Sequence, residues 1–301
     1  MTKFLNLLSN GLALGAVYAL VALGFVVIYR ATRVINFAQG GLVVFGAFLV
    51  YQAEHTWGWG FWVSALFAMA CGAGIGAAFQ SVVLRRMIGQ PVFAIILITI
   101  GLFLLVEPIT TTVWHNPPGG VETPWHLHTV SIGSVKILEV NIATVVMGIV
   151  VLGAFFALFR YTKIGLAMRA TAVDQEAALA QGISVGRIFS ISWAIAGAVA
   201  VVGGMMLAGG AGPAPGLSVS LGLLALRAFP AIILGGLDSP VGAVVGGLTI
   251  GVAQVMAAGY IPSAIPALGS EFADVVPYII MFIVLLVRPY GLFGEREVTR
   301  V

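Results

Sequence analysis

Charge is what this 301-residue chain has least of: only 8% of its residues are Asp, Glu, Lys or Arg, against 60% hydrophobic. A soluble domain carries roughly 25% charged residues. So little charge cannot cover a surface in water, and this excludes a soluble globular protein. Cysteine is nearly absent as well. The single copy, Cys71, excludes a disulfide within the chain and argues against a thiolate metal cluster. Inside an apolar run it reads as a small packing residue. The sequence holds no G-x-x-x-x-G-K-[ST] phosphate loop, no H-E-x-x-H and no G-x-S-x-G. These absences remove the usual ATP site and the zinc and serine hydrolase signatures. If ATP is used, a partner holds it.

What is present is long apolar runs, with a mean hydropathy of +1.09. About 20 such residues cross a bilayer as a helix. Runs at 7–29, 35–52, 61–84, 92–113, 141–159 and 188–210 qualify. The first is too long for a signal-peptide core and lacks a small-x-small end, so it reads as a span. A glycine-rich region follows, and "LGGLDSPVGAVVGG" should divide it. Two spans, 217–236 and 241–259, are expected around a turn at Asp238–Pro240. A last run covers 275–287. The expected fold is an all-α polytopic membrane protein of about nine helices, forming one domain over 1–301. The 39 glycines suit it, because small residues let membrane helices approach closely. Gly242 and Gly246 make a G-x-x-x-G, read as packing rather than a hinge.

Nine crossings sort the basic residues. Arg30, Arg33, Arg85, Arg86, Arg160, Lys163, Arg169, Arg187, Arg288, Arg296 and Arg300 then share one face, 11 of the 14 in the chain. The positive-inside rule makes that face cytoplasmic, with the N-terminus outside and the C-terminus inside. Placed this way, the basic residues answer to membrane topology and not to nucleic acid. The longest outer loop, 114–140, holds His115, His126, His128, Trp114 and Trp125. H-x-H at 126–128 would share one face of a strand. With no thiolate or carboxylate pair beside it, the loop reads as interfacial aromatics and polar residues.

The longest cytoplasmic loop, 161–187, is not disordered in composition. Asp174 can cap a short helix, with Glu176 in its first turn. Ala177 to Ala180 favour helix, and Gly182 can end it in the left-handed conformation. Such a short, rigid helix either seats in a cytoplasmic partner or lies at the interface between spans. A second polar feature is "VINFAQGG" at 34–41. Asn36 and Gln39 have capping-box spacing ahead of an apolar run. Their alternative role is in an inner gate.

Five stretches together carry a family resemblance: "NGLALGAVYALVALGFVVIY" at 10–29, "INFAQGG" at 35–41, "TKIGLAMRATAVDQEAALAQGI" at 162–183, "RAFPAIILGGLDSPVGAVVGG" at 227–247 and "RPYGLFG" at 288–294. In order and spacing the chain resembles the branched-chain amino acid permeases of bacterial ABC importers, the shorter of their two paired types. The resemblance implies a multi-pass protein of the bacterial inner membrane, with a periplasmic N-terminus. It is not itself an enzyme and binds no cofactor. Its expected partners are a second, homologous permease, two cytoplasmic ATPase subunits that hold ATP and Mg, and a periplasmic substrate-binding protein. It also implies that 161–187 is the coupling element, with Arg169, Asp174, Glu176, Ala178 and Gly182 as its residues. Related permeases serve leucine, isoleucine and valine, and also urea, short amides and aromatic acids. A self-sufficient ion-coupled carrier or channel is the rival reading.

Charged groups at membrane depth usually face a cavity or a bundle interior. Glu107 lies about 16 residues from Pro91, roughly 24 Å along a helix. Pro108 should break the helix locally. Glu107 is therefore a candidate for the outer vestibule, or a buried or snorkelling acid. Arg227 lies ten residues into the seventh span. It is expected to pair with Glu107 or an acid of the partner permease, or to sit in a kink. With Asn36 and Gln39, these two are the candidate pathway or gate residues.

Overall fold

The structure is a computed structural model that describes residues 2–87, 90–115, 119–125, 128–133, 135–212, 216–266, 269 and 271–294. The chain begins with α1 (Thr2–Thr32), α2 (Gln39–His55), α3 (Phe61–Val82) and α4 (Val92–Trp114). A two-stranded antiparallel hairpin follows, β1 (Thr129–Ile132) and β2 (Val135–Leu138), with Thr129 opposite Leu138. Next come α5 (Glu139–Tyr161), α6 (Lys163–Val173), α7 (Gln175–Ala180) and α8 (Val185–Ala208). The last part is α9 (Leu221–Leu226), α10 (Phe229–Gly235), α11 (Pro240–Ala264), a 3-10 turn at Glu271–Asp274 and α12 (Val276–Val287).

Six helices among the described residues are long and apolar enough to cross a membrane: α1, α3, α4, α5, α8 and α11. The chain is a multi-pass, helical membrane protein. The other three expected spans are shorter. The α2 helix has 17 residues and α12 has 12. The run at 217–236 is not one helix, and here the structure corrects the expectation. It breaks between α9 and α10 at Arg227 and Ala228. Pro230 accounts for the break, because it has no N–H to donate and its ring would press on the carbonyl four residues back. The expected turn at Asp238–Pro240 is present. Ser239 caps α11, its Oγ accepting from Gly242 N–H at 3.0 Å.

The centre of the bundle is α1, apolar on every side and buried continuously from Ala13 to Ile28. An all-round apolar helix is expected in a core, not on a surface. It packs chiefly on α11 and α8, then on α5 and α10. Glycines set these distances. A Cβ on Gly251 would collide with Gly15 of α1, and one on Gly197 with the backbone of Gly72 in α3. A Cβ on Gly242 would strike Gly235, and one on Gly246 would strike Ala231. This is the packing role expected of that pair. By contrast, α4, α5 and α12 turn apolar residues such as Phe93, Ile149 and Leu286 outward.

Candidate functional site

One end of the bundle gathers the basic residues. Arg30, at the end of α1, lies over the Phe159 ring of α5 at 5.1 Å, and Arg169 of α6 lies over the same ring at 5.4 Å. Arg169 Nη1 also donates to the Phe159 carbonyl. The end of α3 meets the start of α8 through Ser81 and Ser190, 3.0 Å apart. Helices α6 and α7 are built onto this end. Thr162 caps α6 by accepting from Gly165 N–H at 3.1 Å. Asp174 ends α6 and starts α7, its Oδ1 accepting from Glu176 N–H at 2.9 Å and Ala177 N–H at 3.0 Å. At the other end Gly182 takes φ +81°. Its N–H donates to Leu179 O, and Ile183 N–H donates to Ala178 O at 3.0 Å. That pair of bonds is a full Schellman motif. Both ends of α7 are therefore fixed as the residues suggest.

Ala178 is the buried side chain of α7, whereas Glu176 and Leu179 face out, as does Val173 at the end of α6. The pair is tied to α1 by two long bonds at 3.4 Å. Arg33 Nη2 donates to Ala172 O, and Gln175 Nε2 donates to Ala31 O. Arg33 itself has φ +58°, left-handed backbone that turns the chain from α1 toward α2.

The expected capping box does not form, because α2 starts at Gln39 behind Ala38 and has no side-chain cap, so Asn36 makes only a local turn. Asn36 Oδ1 accepts from Ala38 N–H at 3.0 Å. Gln39 does not reach back. Its Nε2 donates to Ala196 O of α8 at 3.2 Å, and its carboxamide fills the space left by Gly24 of α1. Both residues are fully buried. Gln39 thus ties α2 to α1 and α8 instead of closing its own helix end. Beside Asn36 lies a cavity of about 200 Å³, walled by residues of α1, α3, α4 and α8, with Gln175 of α7.

Of the readings open for Arg227, the pair with Glu107 is not made, and the residue sits at a break in its run. Glu107 lies on the outward side of α4, exposed among Leu104, Leu105 and Ile109. Pro108 does not break the helix either, since α4 runs on to Trp114, and Thr110 and Thr111 hydroxyls donate to the Glu107 carbonyl. Arg227 instead donates from Nη1 to Asp274 Oδ1 at 2.6 Å. The same oxygen accepts from Gln254 Nε2 at 2.9 Å, and Gln254 Oε1 accepts from Tyr18 O–H at 2.8 Å. Tyr18 sits in the middle of α1 and Gln254 in α11, both buried. The ion pair is about one-third exposed, at the break between α9 and α10. A chain of hydrogen bonds thus runs from the core helix to a charged pair at an interrupted helix. Tyr18, Gln254 and Asp274 were missed in the sequence. The available signal was a polar side chain inside each of two apolar runs and an acid at the head of a third.

The opposite end carries two aromatic clusters, Trp57 and Trp59 with Phe67, and Trp62 and Trp125 with Phe61. This is the aromatic belt expected of an interface. His126 lies outside the described residues, and with it the H-x-H pair.

The family model described as "Branched-chain amino acid transport system / permease component" matches residues 7–285. The chain belongs to this permease family. It is 30% identical to the high-affinity branched-chain amino acid transport system permease protein LivH of Salmonella typhimurium, over 99% of this chain and 98% of that one. BraD of Pseudomonas aeruginosa, of the same description, is 27% identical over the same shares. A probable LivH of Methanocaldococcus jannaschii is 28% identical over 91% and 88%. The chain is thus a transport permease subunit over its full matched length, and the resemblance in its motifs is borne out.

Proposed function

We propose that this permease imports branched-chain amino acids through the bacterial inner membrane, driven by ATP bound with Mg in two separate ATPase subunits. A second, homologous permease completes the pathway, and a periplasmic binding protein delivers the solute. In this reading the chain crosses nine times, with the short α2, the α9–α10 pair and α12 as spans completed by packing against the partner. The N-terminus is periplasmic, and the end bearing α6 and α7 is cytoplasmic. Arg169, Asp174, Glu176, Ala178 and Gly182 shape the coupling element. Asn36, Gln39, Glu107 and Arg227 belong to the pathway or its gates, Glu107 on the side offered to the partner permease.

The observation that carries this is α7, fixed at both ends and mounted on α6, with Val173 and Leu179 turned outward on a chain that has no phosphate loop. Exposed apolar side chains on a rigid element suit docking to another subunit. ATP-driven closure of the ATPases would push this element and reorient the spans, exposing the pathway alternately to each side.

The test is reconstitution of the four-part transporter with its binding protein in vesicles. The expected result is leucine uptake that needs ATP and all partners. Uptake by this chain alone, following an ion gradient, overturns it in favour of a carrier. Uptake of urea, a short amide or an aromatic acid in place of leucine keeps the mechanism and replaces the solute.

A further inference from the structure

The corner between α5 and α6 sends its cations in two directions. From Val140 to Val173 the sequence has three of them, Arg160, Lys163 and Arg169, and no acid. Arg169 is turned inward, onto the ring and the carbonyl of Phe159. Thr162 serves the neighbouring carbonyl, its Oγ1 donating to Leu158 O at 2.6 Å. The corner thus satisfies its own backbone without Arg160 or Lys163. Those two are exposed, and neither has an acid within ion-pair distance among the described residues. The dipole of α6 opposes a cation in its first turn, so Lys163 gains nothing from its own helix.

Arg160 is also the foot of an apolar stripe. Val146, Ile149, Val150, Gly153, Ala157 and Arg160 follow one another at helical spacing, and all are exposed. The α4 face that carries Glu107 is offered to the partner permease in the proposed function, which leaves this stripe of α5 to lipid. Val150 to Arg160 is ten residues, about 15 Å of helix, or half of a hydrocarbon core of about 30 Å. Acyl chains of one leaflet therefore match the stripe when their headgroup is level with Arg160. Tyr161 comes next, 79% exposed, with the Arg160 guanidinium over its ring at 5.6 Å. A tyrosine suits the headgroup level, and the stacking holds Arg160 there. Ile164 and Leu166 continue the exposed apolar surface on α6.

We propose that this corner binds an anionic phospholipid, with its phosphate between Arg160 and Lys163 and an acyl chain along the exposed stripe of α5. Charge complementarity selects the headgroup, because two cations without an acid favour a net negative one. The site has a consequence that rests on the proposed function. Helix α6 begins at this corner and carries α7 at its other end. A lipid held at Lys163 fixes the near end of α6 to the membrane surface. A push on α7 then passes into α5 instead of lifting α6 away, and import per ATP hydrolysed depends on anionic lipid.

The experiment uses the transporter assembled with its partner subunits in nanodiscs of mixed phosphatidylglycerol and phosphatidylcholine. Native mass spectrometry reads which lipid stays bound. Phosphatidylglycerol should be retained over phosphatidylcholine. Arg160→Gln and Lys163→Gln should each weaken that retention about fivefold, whereas Arg160→Lys keeps the charge and should preserve most of it. Arg85→Gln removes an exposed cation from the same end of the bundle and should change nothing. Undiminished retention in Arg160→Gln overturns the proposal. So does an equal loss in Arg85→Gln, which would mean a diffuse basic face. A density map with a helix of a partner subunit along the α5 stripe, in place of lipid, overturns it as well. ATP-driven leucine uptake is scored separately in vesicles of the two compositions. Import per ATP hydrolysed should fall when phosphatidylglycerol is left out, and Arg160→Gln should remove that dependence. Uptake with unchanged lipid retention in the variants refutes the lipid site alone. Charge-dependent retention without uptake in either composition supports the lipid site and refutes the transport reading.

Discussion

Arg227 and Asp274 are 47 residues apart in sequence and 2.6 Å apart in space. Their pairing closes a chain of hydrogen bonds that starts at Tyr18 in the middle of the central helix. Asp274 Oδ1 accepts from both Arg227 and Gln254, so the loss of Asp274 leaves two donors unpaired.

The pair should behave as a unit. Arg227→Gln and Asp274→Asn should each reduce uptake at least about tenfold in a transporter that still assembles. A double-mutant cycle should show coupling of about 0.5–3 kcal/mol between them. Additive losses would mean the two act independently. Asp274 also holds Gln254, so Asp274→Asn should cost more thermal stability than Arg227→Gln.

Gln39 fits against Gly24 because that glycine has no side chain. Gly24→Ala should therefore push Gln39 off Ala196 and reproduce the transport defect of Gln39→Ala. As a control, Gly74, which has open space around its missing Cβ, should accept alanine without effect. Normal uptake in Gly24→Ala would show that the Gln39 contact is dispensable.

The proposed coupling helix, α7, depends on its two ends. Asp174→Ala should remove about 1 kcal/mol of helix stability. Gly182→Ala should cost a similar amount, because φ +81° strains any residue with a Cβ. Both should lower transport per ATP hydrolysed while leaving ATP hydrolysis by the partner subunits at or above its basal rate. Asp174→Asn keeps the cap and should retain most coupling. Measuring hydrolysis and uptake on the same vesicles distinguishes uncoupling from loss of assembly.

At the end of the bundle that carries the tryptophans, past the apolar run of α2, Glu54 accepts from Glu122 N–H at 3.0 Å. His55 beside it lies 3.5 Å from the Glu122 carboxylate. Burial pushes the Glu54 carboxyl up to about 7, against the pull of the Glu122 N–H. A raised carboxyl means that the folded state favours the proton. This contribution is complete below the ordinary value of 4.5 and is lost as pH rises through about 7. Thermal stability should fall across that window, and Glu54→Gln should flatten the fall. An unchanged slope in Glu54→Gln would show that Glu54 does not carry the effect.

The parts of this fold that are readable in sequence are those governed by local rules. Asp174 caps and Gly182 terminates because capping depends on the two or three residues that follow or precede. The six long spans are visible because length and composition decide them. The break at Arg227 was one of three readings open for that residue, and Pro230 is the local signal that favoured it. The capping-box reading of Gln39 stopped at the helix's own residues, whereas its partner, Ala196, lies 157 positions away. Asp274 was hidden for the same reason. Arg227 needed an acid, and the choice between Glu107 and Asp274 is made by which way α4 faces. Periodicity could not supply that direction, since a helix such as α4 is apolar on all sides.

The central place of α1 also has a meaning in time. It is made before the helices that enclose it, yet its main neighbour, α11, begins only at Pro240. At about 5–20 residues per second, the roughly 200 residues between them take about 10–40 s to synthesise. Throughout that interval a helix with small residues at Gly11 and Gly15 waits in lipid with its closest-packing surface unmatched. The newborn chain cannot build outward from a finished centre. Its core is closed last, when the glycines of α11 arrive to meet those of α1.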